Sequence, residues 1–119
     1  VINHSNDIYY DENAILTGNY IGTQKIIGEI IFFDKKSENF NLNGKVVLIT
    51  NADPGYDFIF NKKIKGLITC YGGANSHMAI RCSEFNLTGI IGIGEIKFKE
   101  LINQKKVYID PLKNIIKKI

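Results

Sequence analysis

The stretch from Gly66 to Ile93 constrains the fold more than any other part of this chain. It opens with a short apolar strand candidate, Gly66-Leu67-Ile68-Thr69-Cys70, and passes through the double glycine Gly72-Gly73. An amphipathic segment, Ser76 to Phe85, follows, and then a second apolar strand candidate, Gly89-Ile90-Ile91-Gly92-Ile93. Met78, Ala79, Cys82 and Phe85 recur at spacings of three and four, which gives a helix with one apolar face. Asn75 or Ser76 can cap that helix, because a short side-chain oxygen can accept from a free amide of the first turn. The same run sets His77 at the helix start and Arg81, the only arginine in the chain, four residues later.

The flanks continue the strand-rich pattern. Gly22 and Gly28 punctuate a segment leading into a strand candidate, Glu29 to Phe33. Asn43-Gly44 is a turn pair, and Lys45 to Thr50 reads as a buried strand. Asp53-Pro54-Gly55 breaks the chain, since proline fixes φ and glycine admits a tight turn. Asp57 to Phe60 reads as a short helical turn, and Phe98 to Asn103 as a short helix. Lys106 to Ile109 is a strand, Asp110-Pro111 a turn, and Ile115 to Ile119 a closing strand. The sum is a mixed α/β chain: a β-rich core with few helices packed on one side.

Residues 1–14 are polar and irregular and read as a linker or lead-in, with His4 an exposed polar residue. Residues 15–119 then form one domain, which is what 119 residues can support. The chain starts at Val1 rather than methionine, so we expect a fragment of a larger multidomain protein. The net charge of +3 comes from scattered lysines, in pairs such as Lys35-Lys36, Lys62-Lys63, Lys105-Lys106 and Lys117-Lys118. That pattern is a solvated surface, not a nucleic-acid stripe. No apolar run approaches the ~18 residues of a membrane span. Two cysteines make no disulfide framework, so a reducing cytoplasm is the expected setting.

His77 is the candidate for chemistry. An imidazole titrates near about pH 6.5, so a ring nitrogen with a free lone pair is available at neutral pH. An anion carried on that ring needs donors. Free amides at a helix N-terminus supply them, and Gly72 and Gly73 let the backbone come close without a Cβ in the way. Arg81 shares the helix face of His77 and suits two roles, neutralising an anion on the ring or pairing with Glu84. His77 itself suits either a phosphoryl carrier or a capping histidine without chemistry. Cys70, His77 and Cys82 lack the spacing of a zinc site, and a cysteine nucleophile paired with His77 is equally weakly supported. Gly92-x-Gly94 lacks the third glycine of a dinucleotide fingerprint.

The run Thr69-Cys70-Tyr71-Gly72-Gly73-Ala74-Asn75-Ser76-His77-Met78-Ala79-Ile80 resembles the phosphohistidine signature of the PEP-utilising enzymes, such as phosphoenolpyruvate synthase and pyruvate phosphate dikinase. Asn51-Ala52-Asp53-Pro54-Gly55-Tyr56 is similar to the family's upstream turn, and Asn86 to Gly92 to its downstream strand. Gly22, Gly28 and the closing hairpin over Lys106–Ile116 extend the likeness to roughly residues 17–119. The departures are Asn75 where a threonine is frequent, Ser83 where the arginine usually stands, and Thr88 in place of proline. The resemblance implies a swivelling β/β/α domain whose histidine, His77, carries a phosphoryl group, with Thr69, Gly72, Gly73, Ser76 and Arg81 as the phosphate-binding set. It implies an ATP-grasp nucleotide domain and a PEP/pyruvate or other acceptor domain as partners, with Mg2+ held there and no cofactor or metal in this domain. The other reading is a non-catalytic swivelling or docking module that keeps the fold, or a stand-alone binder of a small anion.

Overall fold

A computed structural model describes residues 18–33 and 41–119. The lead-in of residues 1–14, His4 and the Lys35-Lys36 pair lie outside the described residues. Seven strands form a curled sheet in the order β1-β5-β4-β3-β2-β6-β7, where β1 is Asn19–Ile21, β2 Ile26–Phe32, β3 Val46–Ile49, β4 Gly66–Thr69, β5 Thr88–Ile91, β6 Lys106–Asp110 and β7 Ile115–Lys118. The four strands β2, β3, β4 and β5 run parallel, while β1, β6 and β7 pair antiparallel. Every residue of β3, β4 and β5 is buried, because a parallel strand is covered on both faces. This is why they read as continuous apolar runs rather than as alternating ones.

β2 is where the sheet turns. Its first half, Ile26 to Glu29, pairs with β6, and its second half, Ile30 to Phe32, pairs with β3. Alternation along the strands divides the core in two. Val46, Leu48, Ile68 and Ile90 pack with Val107, Ile109 and Ile116, and with Phe98 and Leu101 of helix α2 (Glu95–Ile102). Val47, Ile49, Leu67 and Ile91 pack with Met78, Ala79 and Cys82 of helix α1 (His77–Glu84), and with Ile59 of a 3-10 helix over Pro54–Lys62.

The β-rich mixed α/β architecture is therefore present. α1 and the 3-10 helix share one face, whereas α2 covers the other together with the β6–β7 hairpin. The 3-10 helix is longer than the turn the sequence points to. Asp53 caps it by accepting from the Gly55 amide at 2.9 Å, with Pro54 in the first turn. α2 starts at Glu95, three residues before the expected Phe98, and β2 likewise starts at Ile26 rather than Glu29.

α1 has a defined stop. Asn86 adopts φ 52°, its amide donates to the Ser83 carbonyl, and the Leu87 amide donates to the Cys82 carbonyl at 2.9 Å. This is the double closure of a Schellman motif, with Asn86 in the left-handed position usually filled by glycine. Leu87 then packs against the core of α1's face.

Candidate functional site

Parallel pairing of β3, β4 and β5 lines up their carboxyl ends, so the loops that follow them meet at one edge. Ligands bind at that edge in open parallel sheets. The loop after β4 lies in the middle and leads to His77. The loop after β3 leads into the 3-10 helix with Asp57, and the loop after β5 carries Gly92 and Gly94 into α2.

These loops are packed backbone on backbone. Gly92 has φ +78°, and a Cβ there would sit 2.1 Å from the Gly72 carbonyl oxygen. Gly72 has φ +129°, and its Cβ would sit 2.8 Å from the Ala52 Cβ and 3.1 Å from Ile91 Cγ2. Gly72 is therefore required first for packing, since no other residue fits the three-loop junction. Gly73 differs: a Cβ there meets nothing within 4 Å, so its backbone faces open space at the mouth of the site.

Thr69 takes a role other than the phosphate contact that the resemblance implies. It is fully buried, its hydroxyl donates to the Tyr71 carbonyl at 2.9 Å, and it accepts from the Gly92 amide at 2.9 Å. A hydroxyl has one proton to donate, and this one is spent inside the protein. Thr69 staples the β4 and β5 loops together. Ser76, by contrast, is the helix cap, accepting from the Ala79 amide at 3.3 Å, while its own amide donates to the Gly73 carbonyl at 3.0 Å. The His77 and Met78 amides in the first turn have no acceptor within the helix, as at every helix start.

His77 is the first residue of α1, with its side chain 40% exposed. Its Nε2 lies 2.9 Å from Asp57 Oδ1. An ionised carboxylate only accepts, so the Nε2 proton is the donor in this bond. The same Asp57 oxygen accepts from Arg81 Nε at 3.0 Å. Arg81 NH1 donates to Glu84 at 3.0 Å, the expected pairing, and its Nε shares the Asp57 oxygen with the His77 ring. The guanidinium lies over Phe85 and Phe60, 4.7 and 5.5 Å from their centroids, and those rings stack 5.3 Å apart. Phe85 is thus half exposed and serves as a platform for Arg81 rather than as part of the apolar face of α1.

The hydrogen bond from His77 holds the Asp57 carboxyl below the usual carboxylate range, and Arg81 adds to the effect. The bond to Glu84, and then that to Asp57, pushes the Arg81 pKa up. On the far side of the loop, Tyr71 donates to Glu95, and that bond pushes the phenol up to about 12.

Asp57 is the residue that sequence reasoning missed. It stands twenty positions before His77, inside a segment legible only as a helical turn. Its place just after the Asp53-Pro54-Gly55 turn was the available signal, because that turn carries part of the same resemblance as the run around His77.

Cys70 and Cys82 do not join the site. They pack into opposite faces of the sheet, so Cys70, His77 and Cys82 cannot converge on one zinc ion. Burial pushes the Cys82 thiol up to about 12, which leaves it a poor nucleophile. Among the described residues no three His, Cys, Asp or Glu side chains gather where they could hold a metal ion. No described helix is long and apolar enough to cross a membrane.

The fold is similar to that of a UPF0107 protein solved by NMR, with a TM-score of 0.62 at 11% identity, covering 87% of this chain and 97% of that one. A solution structure of Enzyme I aligns at 24% identity and a TM-score of 0.49, covering 62% of this chain. The chain spans 30% of the length of that Enzyme I structure. No curated protein matches. The family model of the PEP-utilising enzyme mobile domain matches residues 41–113, which include β3, β4 and β5, the 3-10 helix and the whole His77 site. The chain belongs to the PEP-utilising enzyme, mobile domain, family.

Proposed function

We propose that this domain is a mobile phosphocarrier and that His77 carries the phosphoryl group. The observation that carries the reading is the position of His77. It is an exposed imidazole on the loop edge of the parallel sheet, at a helix start, with its Nε2 and the one guanidinium of the chain meeting on the same Asp57 oxygen. Free amides of the first turn and the open backbone at Gly73 are donors for phosphoryl oxygens.

In the loading step a ring nitrogen's lone pair attacks the donor's phosphorus. The bond from phosphorus to the donor oxygen breaks, and the electron pair leaves on that oxygen. In the delivery step an acceptor oxygen attacks the same phosphorus and the ring nitrogen takes back the pair. Arg81 balances charge in both steps.

The partner sites follow from the family. We assign the donor site to an ATP-grasp nucleotide domain and the acceptor site to a PEP/pyruvate or other acceptor domain of a larger parent. Mg2+ acts in those sites, and the carrier itself binds none. We place the carrier in the cytoplasm, in line with its two buried, unpaired cysteines.

The test is the intact mass of the chain after incubation with Mg2+, ATP or phosphoenolpyruvate, and the remaining domains of its parent. The expected result is a gain of one acid-labile phosphoryl group that disappears in His77→Ala while the variant stays folded. No gain with either donor refutes the carrier and favours a docking module. Loss of folding in His77→Ala makes the histidine structural.

A further inference from the structure

We propose that, in the unphosphorylated chain, the Asp57 carboxylate occupies the place on His77 Nε2 that a phosphoryl group takes, and acts as a placeholder that withdraws on loading. The proposal rests on the carrier reading above and adds to it a residue that opposes modification.

One oxygen of Asp57 bridges the imidazole at 2.9 Å and the guanidinium at 3.0 Å. A phosphoryl oxygen on Nε2 would make the same contact with Arg81. The anion site is thus already assembled and is filled by the protein's own carboxylate. Arg81 does not depend on Asp57 for its place, because Glu84 holds NH1 and the Phe85 ring lies under the guanidinium. When Asp57 leaves, the cation remains. The Asp57 side chain is 42% exposed, so rotation about χ1 carries its carboxylate into water, while Ile59 keeps the 3-10 helix in the core.

Carboxylate and phosphoryl group exclude each other. Both require the same ring nitrogen, and a phosphoryl group with ~1.5 to 2 negative charges repels a carboxylate beside it. A contact present only in the unphosphorylated state stabilises that state alone, so it shifts the balance toward delivery and against loading. Loading proceeds once Asp57 withdraws. The Nε2 proton passes to water and the ring takes the Nδ1–H form. The Nε2 lone pair then attacks phosphorus as the bond to the leaving group breaks, with the electron pair on that group.

The experiment uses the full chain and phosphoramidate as a phosphoryl donor that needs no partner domain. In that reaction an Nε2–P bond forms, the P–N bond of phosphoramidate breaks, and ammonia leaves. Labelling of His77 is expected to be about threefold to tenfold faster in Asp57→Asn and Asp57→Ser than in wild type, the range set by charge-assisted bonds at a half-exposed site. The label is expected on Nε2, and Arg81→Gln is expected to shorten its lifetime. Before labelling, the ring nitrogen shifts of wild-type His77 are expected to show the neutral ring as the Nε2–H form, a bias lost in Asp57→Ser. Labelling at an equal or slower rate in two folded Asp57 variants overturns the proposal. So does a label on Nδ1, or an Nδ1–H ring in the wild type. The ring-nitrogen reading needs no phosphoryl group, so it stands or falls separately from transfer by the parent enzyme. If the parent loads nothing onto His77, the carrier reading alone is refuted.

Discussion

Gly92→Ala is the substitution that most directly tests how the site is held together. At φ +78° an L-residue costs ~1–2 kcal/mol relative to glycine. The new Cβ would lie 2.1 Å from the Gly72 carbonyl oxygen, so that oxygen must retreat by roughly 1 Å to reach an ordinary contact distance. It is a backbone atom in a stapled junction. Gly92 and Ile93 donate to Thr69, and Gly94 donates to the Cys70 carbonyl. Overpacking of this kind adds ~1–3 kcal/mol. The total is ~2–5 kcal/mol, a large part of a domain's usual stability of ~5–15 kcal/mol. At ~2.1 cal/mol/K of unfolding entropy per residue each kcal/mol shifts the Tm of a domain of this size by ~4 °C, so a fall of ~8–20 °C is expected. Thermal and urea unfolding of wild type and variant are the assays. Gly73→Ala is the control, because its Cβ meets nothing within 4 Å and should change stability by less than ~0.5 kcal/mol. A Gly92→Ala variant melting within ~5 °C of wild type refutes the packed junction.

Three further outcomes follow from the same geometry. Thr69→Val removes a buried hydroxyl and leaves the Tyr71 carbonyl and the Gly92 amide without it; urea unfolding should register a loss of ~1–3 kcal/mol. Ser76→Ala deletes the α1 cap and should cost ~1 kcal/mol by the same measurement, with faster amide exchange in the first turn of α1. Asp57 has a folded pKa below its unfolded value, so its contribution to stability is present above ordinary carboxylate titration and is lost as pH falls through the folded pKa. Carboxyl-carbon NMR should place its midpoint below that of an ordinary aspartate, moving upward in His77→Ala because the His77 hydrogen bond is the main cause.

Much of the fold was legible because the signals are local. Apolar runs of four or five residues between glycine, proline and asparagine mark β3, β4 and β5, and the spacing of Met78, Ala79 and Cys82 marks the buried face of α1. His77 was legible for the same reason, since double glycine, cap and histidine lie within six residues. Phe85 misled the helix pattern. It falls on the apolar period, yet it sits at the helix end, where it stacks on Phe60 beneath Arg81 instead of entering the core. The three-residue strand β1 passed unrecognised because its half-buried Asn19-Tyr20-Ile21 shows no clear period, and only pairing with β5 makes it a strand.

Local sequence thus determined which segments extend, which coil, and where His77 stands relative to a helix start. Tertiary structure decided what that histidine touches. Asp57 and His77 are twenty residues apart and meet only because β3 and β4 are parallel neighbours whose carboxyl ends open at the same edge. The roles of Thr69, Gly72 and Gly92 were settled by the same register, which brings two loop backbones to contact distance. Periodicity and spacing report each residue's relation to its neighbours along the chain. A shared oxygen between His77 and Arg81, supplied by a third segment, depends on strand order and register, which arise only when the whole sheet forms.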